Sequence, residues 1–395
     1  MMIQAFATLC LAQFHPQSKE AAAQTARWFA HEMTWGYLTT LQDGKPVAEV
    51  ASFSDGAVAT STGRLFFYLM GSSVTNEPAA LTLSEAAFAG TCGFAGTVVD
   101  PEDPRCGKIT LTGTLSLSSG GDIDTGKQAL FARHPQMAKW PPSHGFAVCE
   151  LKLSDIWMID SYGGGSMVAP KDFLAAEPKN NRPKWPPSAQ TAARTMTRTR
   201  TRVSGAEPPP PWNQTAARAR WLVAHAMWTA ISTVDVRIKG SPWGNVRSIA
   251  DGVGADSTGL PYFYLPTPDP TAVDVKADPH VTLSFSEAAL PERAGVNGSK
   301  TCGGMDAEDP TCARLHLSGT AVALTSNATI EKAKAAFKAK HPLAPWLAQG
   351  GAHTGGAYYT LRLDSLTFLD YYGGPAKMSV AEYLAYKPSQ AVEQA

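Results

Sequence analysis

The chain contains one long stretch of sequence twice, and this duplication constrains its fold more than any other feature. "ARWFAHEMTW" from Ala26 returns as "ARWLVAHAMW" from Ala219, and "DGAVATSTGRLFFYL" from Asp55 returns as "DGVGADSTGLPYFYL" from Asp251. The order of the matching segments is kept while their offset drifts by a few residues, as loop insertions would cause. A repeat this long indicates two homologous domains and not a solenoid of short repeats.

The duplication divides the 395 residues into four segments. Residues 1–19 are a possible signal segment, 20–178 the first domain, 179–212 a linker and 213–388 the second domain. The linker contains "RTMTRTRTR" and a run of four prolines. Such a composition cannot bury enough apolar surface to build a core, so it predicts a flexible connection.

The N-terminus leaves two interpretations open. Its apolar stretch from Met1 to Ala12 lacks a basic beginning, but small residues follow that could form a cleavage site. It is either a cleaved signal peptide or an ordinary hydrophobic N-terminus. No apolar run reaches the ~18–20 residues that a membrane-spanning helix requires, and we therefore expect no membrane span.

Each copy begins with a helical pattern and continues with short runs of β-forming residues. "KEAAAQTARWFAHEMTW" has apolar residues at helical spacing, whereas "LFFYLM" and "KITLTGTLSLS" are strand-like and bounded by turn residues. "DTGKQALFARHP" predicts a second helix, which Pro135 ends. Many strands with few helices predict a mainly β fold with flanking helices, in which each copy forms a small antiparallel barrel.

The charge balance excludes one class of partner. Lys and Arg together number 34, as do Asp and Glu. A net charge of zero argues against binding to nucleic acid through charge alone.

Two cysteine pairs enclose an acidic, proline-containing segment, once in each copy. The segments are "CGFAGTVVDPEDPRC" from Cys92 to Cys106 and "CGGMDAEDPTC" from Cys302 to Cys312. Proline has no N–H donor, so these segments are loops between strands. We predict the disulfides Cys92–Cys106 and Cys302–Cys312, each adding about 3 kcal/mol. Zinc, the alternative, would need a second pair of close ligands, and the loops are interpreted as surface features.

Three N-x-S/T sequons agree with the oxidising compartment that disulfides require. They begin at Asn213, Asn297 and Asn327. The sequence thus favours a secreted or endolysosomal glycoprotein.

The order of these motifs resembles the CREG family of secreted and endolysosomal glycoproteins. The pattern runs from a helix ending in "HxxxW", through "DG…STG…FYL" and the cysteine loop, to "HP" and "YGG", and it covers nearly the whole chain. The first copy carries it at His31, Trp35, Asp55, Phe67, Tyr68, Cys92, Cys106, His134, Trp140, His144, Trp157 and Tyr162. The second carries it at His225, Trp228, Asp251, Phe263, Tyr264, Cys302, Cys312, His341, Trp346 and Tyr372.

The resemblance implies two six-stranded antiparallel split β-barrels, similar to FMN-binding split barrels such as pyridoxamine 5'-phosphate oxidases. Family members are usually single domains that form homodimers, and this chain departs from them by being a tandem. We therefore expect the two domains to pair with each other in a monomer. The second copy also departs at Trp157, which is replaced by Thr367 or Phe368.

A flavin phosphate needs nearby cations, and the chain offers few. In flavin-binding relatives a basic stretch follows the "FY" strand, but residues 69–83 contain no Lys or Arg, and the second copy offers Lys276 among three aspartates. The remaining phosphate contacts would be Ser72, Ser73, Thr75 and Lys276, and neutral donors alone make a weaker site. We expect no cofactor, with FMN or haem as the alternative.

Two functions follow as hypotheses. The first is a non-catalytic glycoprotein that binds a protein partner or receptor, without catalytic or metal-binding residues. The alternative is a flavin- or haem-dependent oxidoreductase of the pyridoxamine 5'-phosphate oxidase-like superfamily. Four histidines occupy matching places in the two copies: His31, His134, His225 and His341. No metal-binding spacing accompanies them, so we interpret them as hydrogen-bonded residues near helix ends.

Overall fold

The computed structural model describes residues 18–57, 59–87, 92, 99–181, 208–238, 240–252, 256–290, 301–347 and 355–387. Most of the predicted signal segment, most of the linker and the Asn297 sequon lie outside these residues. In the described part, no helix is both long and apolar enough to cross a membrane.

The first copy forms three helices and seven strands. The helices are α1 (Lys19–Glu32), α2 (Gly121–Arg133) and α3 (Pro170–Ala175). The strands are β1 (Trp35–Gln42), β2 (Lys45–Ser54), β3 (Leu65–Met70), β4 (Glu77–Ser84), β5 (Lys108–Leu117), β6 (Phe146–Ile159) and β7 (Ser166–Val168).

In its described residues the second copy repeats this order with one additional helix and without a counterpart of β7. The helices are α4 (Thr215–His225), α5 (Pro270–Ala277), α6 (Asn327–Lys340) and α7 (Val380–Ala385). The strands are β8 (Trp228–Asp235), β9 (Ser241–Ala250), β10 (Tyr262–Leu265), β11 (His280–Ser286), β12 (Arg314–Ala323) and β13 (Ala357–Leu369). Helix α5 lies where the first copy has only a short 3₁₀ turn after β3.

Each copy is a closed barrel of six antiparallel strands, as predicted. The first is ordered β1-β2-β3-β6-β5-β4, closed by the pairing of β3 with β6 and of β1 with β4, and β7 extends β6. The second has the matching order β8-β9-β10-β13-β12-β11. Closure pairs every edge strand of the barrel, which removes the exposed edges that cause aggregation.

The helix that begins each copy is attached to its barrel by apolar packing and by one buried arginine. Ser18 caps α1 by accepting from the N–H of Ala21 at 3.1 Å, and one face of α1 is buried in the first core. The guanidinium of Arg27 donates to the carbonyls of Phe173 and Ala176 at the end of α3. In the second copy Arg220 donates to carbonyls after α7 in the same way.

A third apolar cluster lies between the two barrels. It combines Tyr37 and Val50 of the first copy with Trp228 and Val246 of the second. The rings of Tyr37 and Trp228 meet edge to face, with centroids 5.7 Å apart. The hydroxyls of Thr39 and Ser232, which are equivalent residues of the two copies, lie 2.8 Å apart. The barrels are therefore packed directly on each other, as the tandem resemblance implies.

Candidate functional site

Two acidic loops occupy equivalent places in the two barrels. The first acidic loop is residues 99–106, before β5, and the second acidic loop is residues 302–312, before β12. Disulfide bonds join the cysteine pairs predicted from the sequence, Cys92–Cys106 and Cys302–Cys312.

The repeated D-x-E spacing gives the two loops the same local conformation. The carboxylate of Asp100 accepts from the N–H of Glu102 at 2.9 Å, and that of Asp306 accepts from the N–H of Glu308 at 2.9 Å. These are Asx turns, in which a side chain satisfies the backbone two residues later. One carboxylate oxygen of each aspartate is thus used within the loop, and both oxygens remain able to accept further bonds.

The first acidic loop inserts into the second copy. The carboxylate of Asp100 accepts from the hydroxyl of Ser248 and lies 2.7 Å from Nδ1 of His341. Nε2 of the same ring lies 2.8 Å from the carbonyl oxygen of Ile249. Asp100 and Glu102 are each only 4 % exposed. The prediction of a surface loop was therefore wrong, because the opposite barrel covers it.

The second acidic loop makes the mirrored contacts on the first copy. Asp306 accepts from the hydroxyl of Ser52 at 2.5 Å and lies 2.6 Å from Nδ1 of His134. Nε2 of His134 lies 2.9 Å from the carbonyl oxygen of Phe53. Each acidic loop therefore lies between a strand of the other copy (β2 or β9) and the histidine that ends a helix there (α2 or α6).

The glutamate of each acidic loop also binds the other copy. Glu102 accepts from the N–H of Ser248 at 3.1 Å, and Glu308 accepts from the N–H of Ser52 at 2.8 Å. Arg247 adds an ion pair to Glu102 at 3.3 Å. We call the two acidic loops and the residues that receive them the reciprocal clasp, which comprises Ser52, His134, Ser248 and His341 besides the loops.

The hydrogen-bond geometry of the clasp requires charged histidines. Both ring nitrogens of His134 and of His341 face acceptors, a carboxylate on one side and a carbonyl on the other, so only the doubly protonated imidazolium satisfies both. Burial opposes ionisation of Asp100 and Asp306, but the charge and hydrogen bond of the facing histidine outweigh it. The pKa of each aspartate is therefore held below its ordinary value. The clasp thus contains two buried ion pairs.

The pKa values of the two clasp glutamates shift in the opposite direction from those of the aspartates. Burial, with repulsion from the neighbouring aspartate, raises the pKa of Glu102 and that of Glu308 to about 8. The charge of Arg247 opposes this rise at Glu102, and that of Arg314 opposes it at Glu308. Both carboxyls therefore hold a proton in acidic solution.

A cleft of about 380 Å³ opens beside the second acidic loop. Trp35, Arg133 and His134 line it from the first copy, and Met305 and Asp306 from the second. Arg133 is largely buried and lies 3.4 Å from Asp55. The cleft combines one aromatic ring with charges of both signs, a lining that suits a small polar ligand.

The predicted phosphate contacts lie in two elements, one in each copy. Ser72, Ser73 and Thr75 are exposed at and just after the short turn that follows β3, where the Ser73 hydroxyl donates to the carbonyl of Met70. Lys276 is exposed in the last turn of α5. It is the one cation that these four residues offer to the phosphate of FMN, and neutral donors alone make a weaker site.

The other two paired histidines also lie at helix ends. Nδ1 of His31, in the last turn of α1, is 3.0 Å from Asp55, and Nδ1 of His225 donates to the carbonyl of Trp221 at 2.8 Å. The interpretation of all four as hydrogen-bonded residues near helix ends is confirmed. Over the part of the chain that the structure describes, no three His, Cys, Asp or Glu residues are grouped to hold a metal.

An apolar surface lies at one end of the first barrel. Met70 is about half exposed, at 53 %. It pairs with Phe146 across the strands, and the rings of Tyr68, Trp140 and Phe146 lie against one another there, with centroids 4.8–5.9 Å apart. We call these four residues the apolar ledge. Leu117, at 49 % exposure, pairs with Cys149 and so lies on the opposite face of the strands.

The second barrel lacks this ledge. Strand pairing places Pro266 and Gly356 where the first copy has Met70 and Phe146. The aromatic pair that remains, Tyr264 and Trp346, is buried, at 5 % and 8 % exposure. The fold therefore does not require large exposed apolar side chains at this place.

Two of the three predicted glycosylation sites can be located. Asn213 lies in a turn before α4 and Asn327 is the first residue of α6, and both are exposed. Both positions suit an attached glycan.

Sequence reasoning missed the receiving side of the clasp. Ser52 and Ser248 lie in strands without any motif, and their role follows only from the pairing of the barrels. The acidic residues could have been found, since the spacing of Asp100 and Glu102 returns at Asp306 and Glu308 although the loops differ in length.

Comparisons with known proteins agree with the duplicated barrel. A family described as "CREG, beta-barrel" matches the chain twice, over residues 16–175 and 210–385. Protein CREG1 of Homo sapiens is 36% identical over 168 residues, which is 39% of this chain and 74% of that protein. Protein CREG2 of Mus musculus is 36% identical over 170 residues, 40% of this chain and 57% of that protein.

Solved structures show weaker likeness. A heme binding protein from Mycobacterium smegmatis is 16% identical, with a TM-score of 0.34, over 46% of this chain and 63% of that one. A putative pyridoxamine 5'-phosphate oxidase from Listeria innocua is 12% identical, with a TM-score of 0.25, over 38% and 93%. Likeness at this level carries no argument about ligand or activity.

The clasp predicts that the protein is most stable in mildly acidic solution. A carboxyl whose pKa rises on folding contributes stability that is complete below its unfolded pKa and lost as the pH rises through the folded value. The Asp100 and Asp306 contributions are lost only below their ordinary pKa of about 3.9. We expect the melting temperature at about pH 5 to exceed that at about pH 8.5 by at least ~3 °C.

Substituting the glutamates tests the cause of this pH dependence. Glu102→Gln with Glu308→Gln should remove most of the difference in calorimetry, because Gln stays neutral at both pH values. The control Glu331→Gln, on the exposed face of α6, should keep it. A pH-independent melting temperature in the unsubstituted protein, or an undiminished drop in the double variant, would contradict the assignment.

Proposed function

The chain belongs to the CREG family, and from that premise we propose that it is a non-catalytic, secreted or endolysosomal glycoprotein that binds another protein. The apolar ledge of the first copy carries this proposal. A soluble domain rarely exposes adjoining large apolar side chains unless a partner covers them. The second copy reaches the same fold with Pro266 in place of Met70 and Gly356 in place of Phe146, so the ledge is not a requirement of the barrel.

The ledge has the chemistry of a protein-binding surface. Aromatic residues and methionine are enriched where proteins meet, and a few of them supply most of the binding energy. Tyr68, Trp140 and Phe146 are already stacked, so little side-chain freedom is lost when a partner binds. Met70 is unbranched and adapts to an irregular partner surface. The partner's matching surface is accordingly apolar.

The absence of catalysis is supported by the chemistry of the junction between the barrels. Four carboxyl groups and two histidines are used there to hold the copies together, and their hydrogen-bonding positions are occupied by protein groups. Among Ser72, Ser73, Thr75 and Lys276, only Lys276 carries a positive charge, and neutral donors alone make a weaker phosphate site. One chain supplies both of the barrels that pack on each other, which supports a monomer in solution.

Three observations support an oxidising and acidic compartment. Two disulfides close the acidic loops, and such bonds persist mainly outside the cytosol. The sequons at Asn213 and Asn327 are exposed. The raised pKa values of Glu102 and Glu308 favour the clasp in acidic solution, the condition of an endolysosomal lumen.

The protein-binding proposal predicts that polar substitutions on the ledge abolish partner capture. Met70→Ser should reduce the proteins that co-purify with the tagged, secreted chain at least ~10-fold, since central apolar contacts commonly contribute 2 kcal/mol or more. Quantitative mass spectrometry provides the measurement. Val322→Ser is the matched control, because Val322 is 40 % exposed on a strand of the second barrel.

Comparison of the three forms distinguishes specific binding at the ledge from nonspecific adsorption. Proteins retained by the unsubstituted chain and the control but lost from the ledge variant, at an unchanged melting temperature, support the proposal. Equal capture by all three forms would reject the ledge as the binding surface.

A flavin- or haem-dependent oxidoreductase is the second candidate, favoured by the cleft that contains Trp35, Arg133 and His134. Its test is the visible absorbance spectrum of the purified chain, with and without added FMN or haem. We expect no absorbance band retained through gel filtration, because the cleft also contains Asp306 and lacks a cluster of cations. A retained flavin spectrum or Soret band would instead favour an electron-transfer enzyme over the protein-binding proposal.

A further inference from the structure

An exposed aromatic pair lies beside the Asn213 sequon. The rings of Trp212 and Tyr371 stack with centroids 4.6 Å apart and planes inclined by 16°. Trp212 is 55 % exposed and Tyr371 43 %. Tyr372, at 61 % exposure, meets the edge of Tyr371 at 5.6 Å. The pair therefore presents broad ring surface to solvent immediately next to a residue that carries a glycosylation signal.

The pair is held in place by a buried arginine. Arg218 donates to the carbonyl of Pro210 at 3.1 Å, two residues before Trp212. Its Nε lies 3.3 Å from the carboxylate of Asp370, the residue before Tyr371. The turn that carries Asn213 is fixed as well, because the N–H of Gln214 donates to the carbonyl of Pro211 at 2.8 Å. Arg218 thus brings together two segments that are distant in the sequence, and the stack forms between them.

The first copy provides an internal comparison. The matching of Arg27 with Arg220 places Lys19 and Glu20 where the second copy has Trp212 and Asn213. The matching of Asp160 with Asp370 places Ser161 where it has Tyr371. The first copy therefore lacks the sequon and both members of the stack, and Tyr162 there turns to Asp103 instead. At this place in the fold, the second copy has both the sequon and the aromatic pair, and the first copy has neither.

We propose that Asn213 carries an N-linked glycan whose first N-acetylhexosamine packs on the Trp212–Tyr371 pair. This inference rests on the proposed secretory route. The pyranose C–H bonds carry partial positive charge and the ring faces carry negative charge, so the two surfaces attract. Attachment at the adjacent residue keeps the sugar near the rings at high effective concentration. The glycan then covers apolar surface that would otherwise face water.

The covalent step needs a donor of a known class. The side-chain amide nitrogen of Asn213 forms a bond to C1 of the first sugar of a lipid-diphosphate-linked oligosaccharide. The bond from C1 to the diphosphate breaks, the lipid diphosphate leaves, and the amide loses one proton. No electrons are transferred, and the step precedes folding of the turn.

The test measures coupling between the glycan and the aromatic pair in the full chain, expressed through a eukaryotic secretory pathway. Mass spectrometry of glycopeptides first establishes which sequons are occupied. Asn213→Gln should then lower the melting temperature by about 2–4 °C. In a Tyr371→Ser background, which reproduces the first copy, the same substitution should change it by less than ~1 °C. Asn327→Gln is the matched control and should have the same effect in both backgrounds.

A second measurement does not depend on substitutions. An endoglycosidase that leaves one N-acetylglucosamine on Asn213 should preserve the melting temperature, whereas an amidase that removes the whole glycan should lower it. An occupied Asn213 with equal shifts in both backgrounds would overturn the packing proposal. An unoccupied Asn213 beside an occupied Asn327 would overturn it while leaving the glycoprotein proposal intact. If Asn213, Asn297 and Asn327 are all unoccupied, both proposals are overturned.

Discussion

The exchange of buried aspartate–histidine pairs between the barrels is the interaction on which the rest of the structure depends. Asp100 faces His341 and Asp306 faces His134, so each copy supplies one charge to either pair. Removing one partner of a buried pair leaves an unpaired charge, at a cost of about 3–5 kcal/mol. The disulfides, the Asx turns and the position of β2 and β9 all serve to bring these groups together. The acidic loops consequently hold the two copies together as a pseudo-dimer.

Duplication within one chain has allowed the copies to diverge. The first copy keeps the apolar ledge that we propose as the partner surface, whereas the second has Pro266 and Gly356 at the positions of Met70 and Phe146. The second copy in turn carries the sequons at Asn213 and Asn327 and the exposed aromatic pair. In a homodimer every feature would occur twice, but a fused pair can place partner binding on one side and glycans on the other. The clasp itself remains symmetric, because both copies need it equally.

The sequence predicted the barrels and the disulfides but not the clasp. Repetition of "FYL", "LTGT" and "LSGT" with turn residues between strands was sufficient for the fold, because alternation and turns are local signals. The paired cysteines gave the disulfides for the same reason. The role of Asp100 and Asp306 depends on where the second barrel lies, which no local pattern contains. The loops were therefore interpreted as surface features.

The most direct test of the clasp is to cut the chain between its two copies. A protease site introduced between residues 182 and 207 allows cleavage of the folded protein, followed by gel filtration. The account predicts that the halves elute together at the volume of the intact chain, and that Asp100→Ala with Asp306→Ala makes them separate after cleavage. The exposed control Asp364→Ala should leave them together. Separation of the unsubstituted halves, or continued association of the halves without both aspartates, would contradict the central role of the clasp.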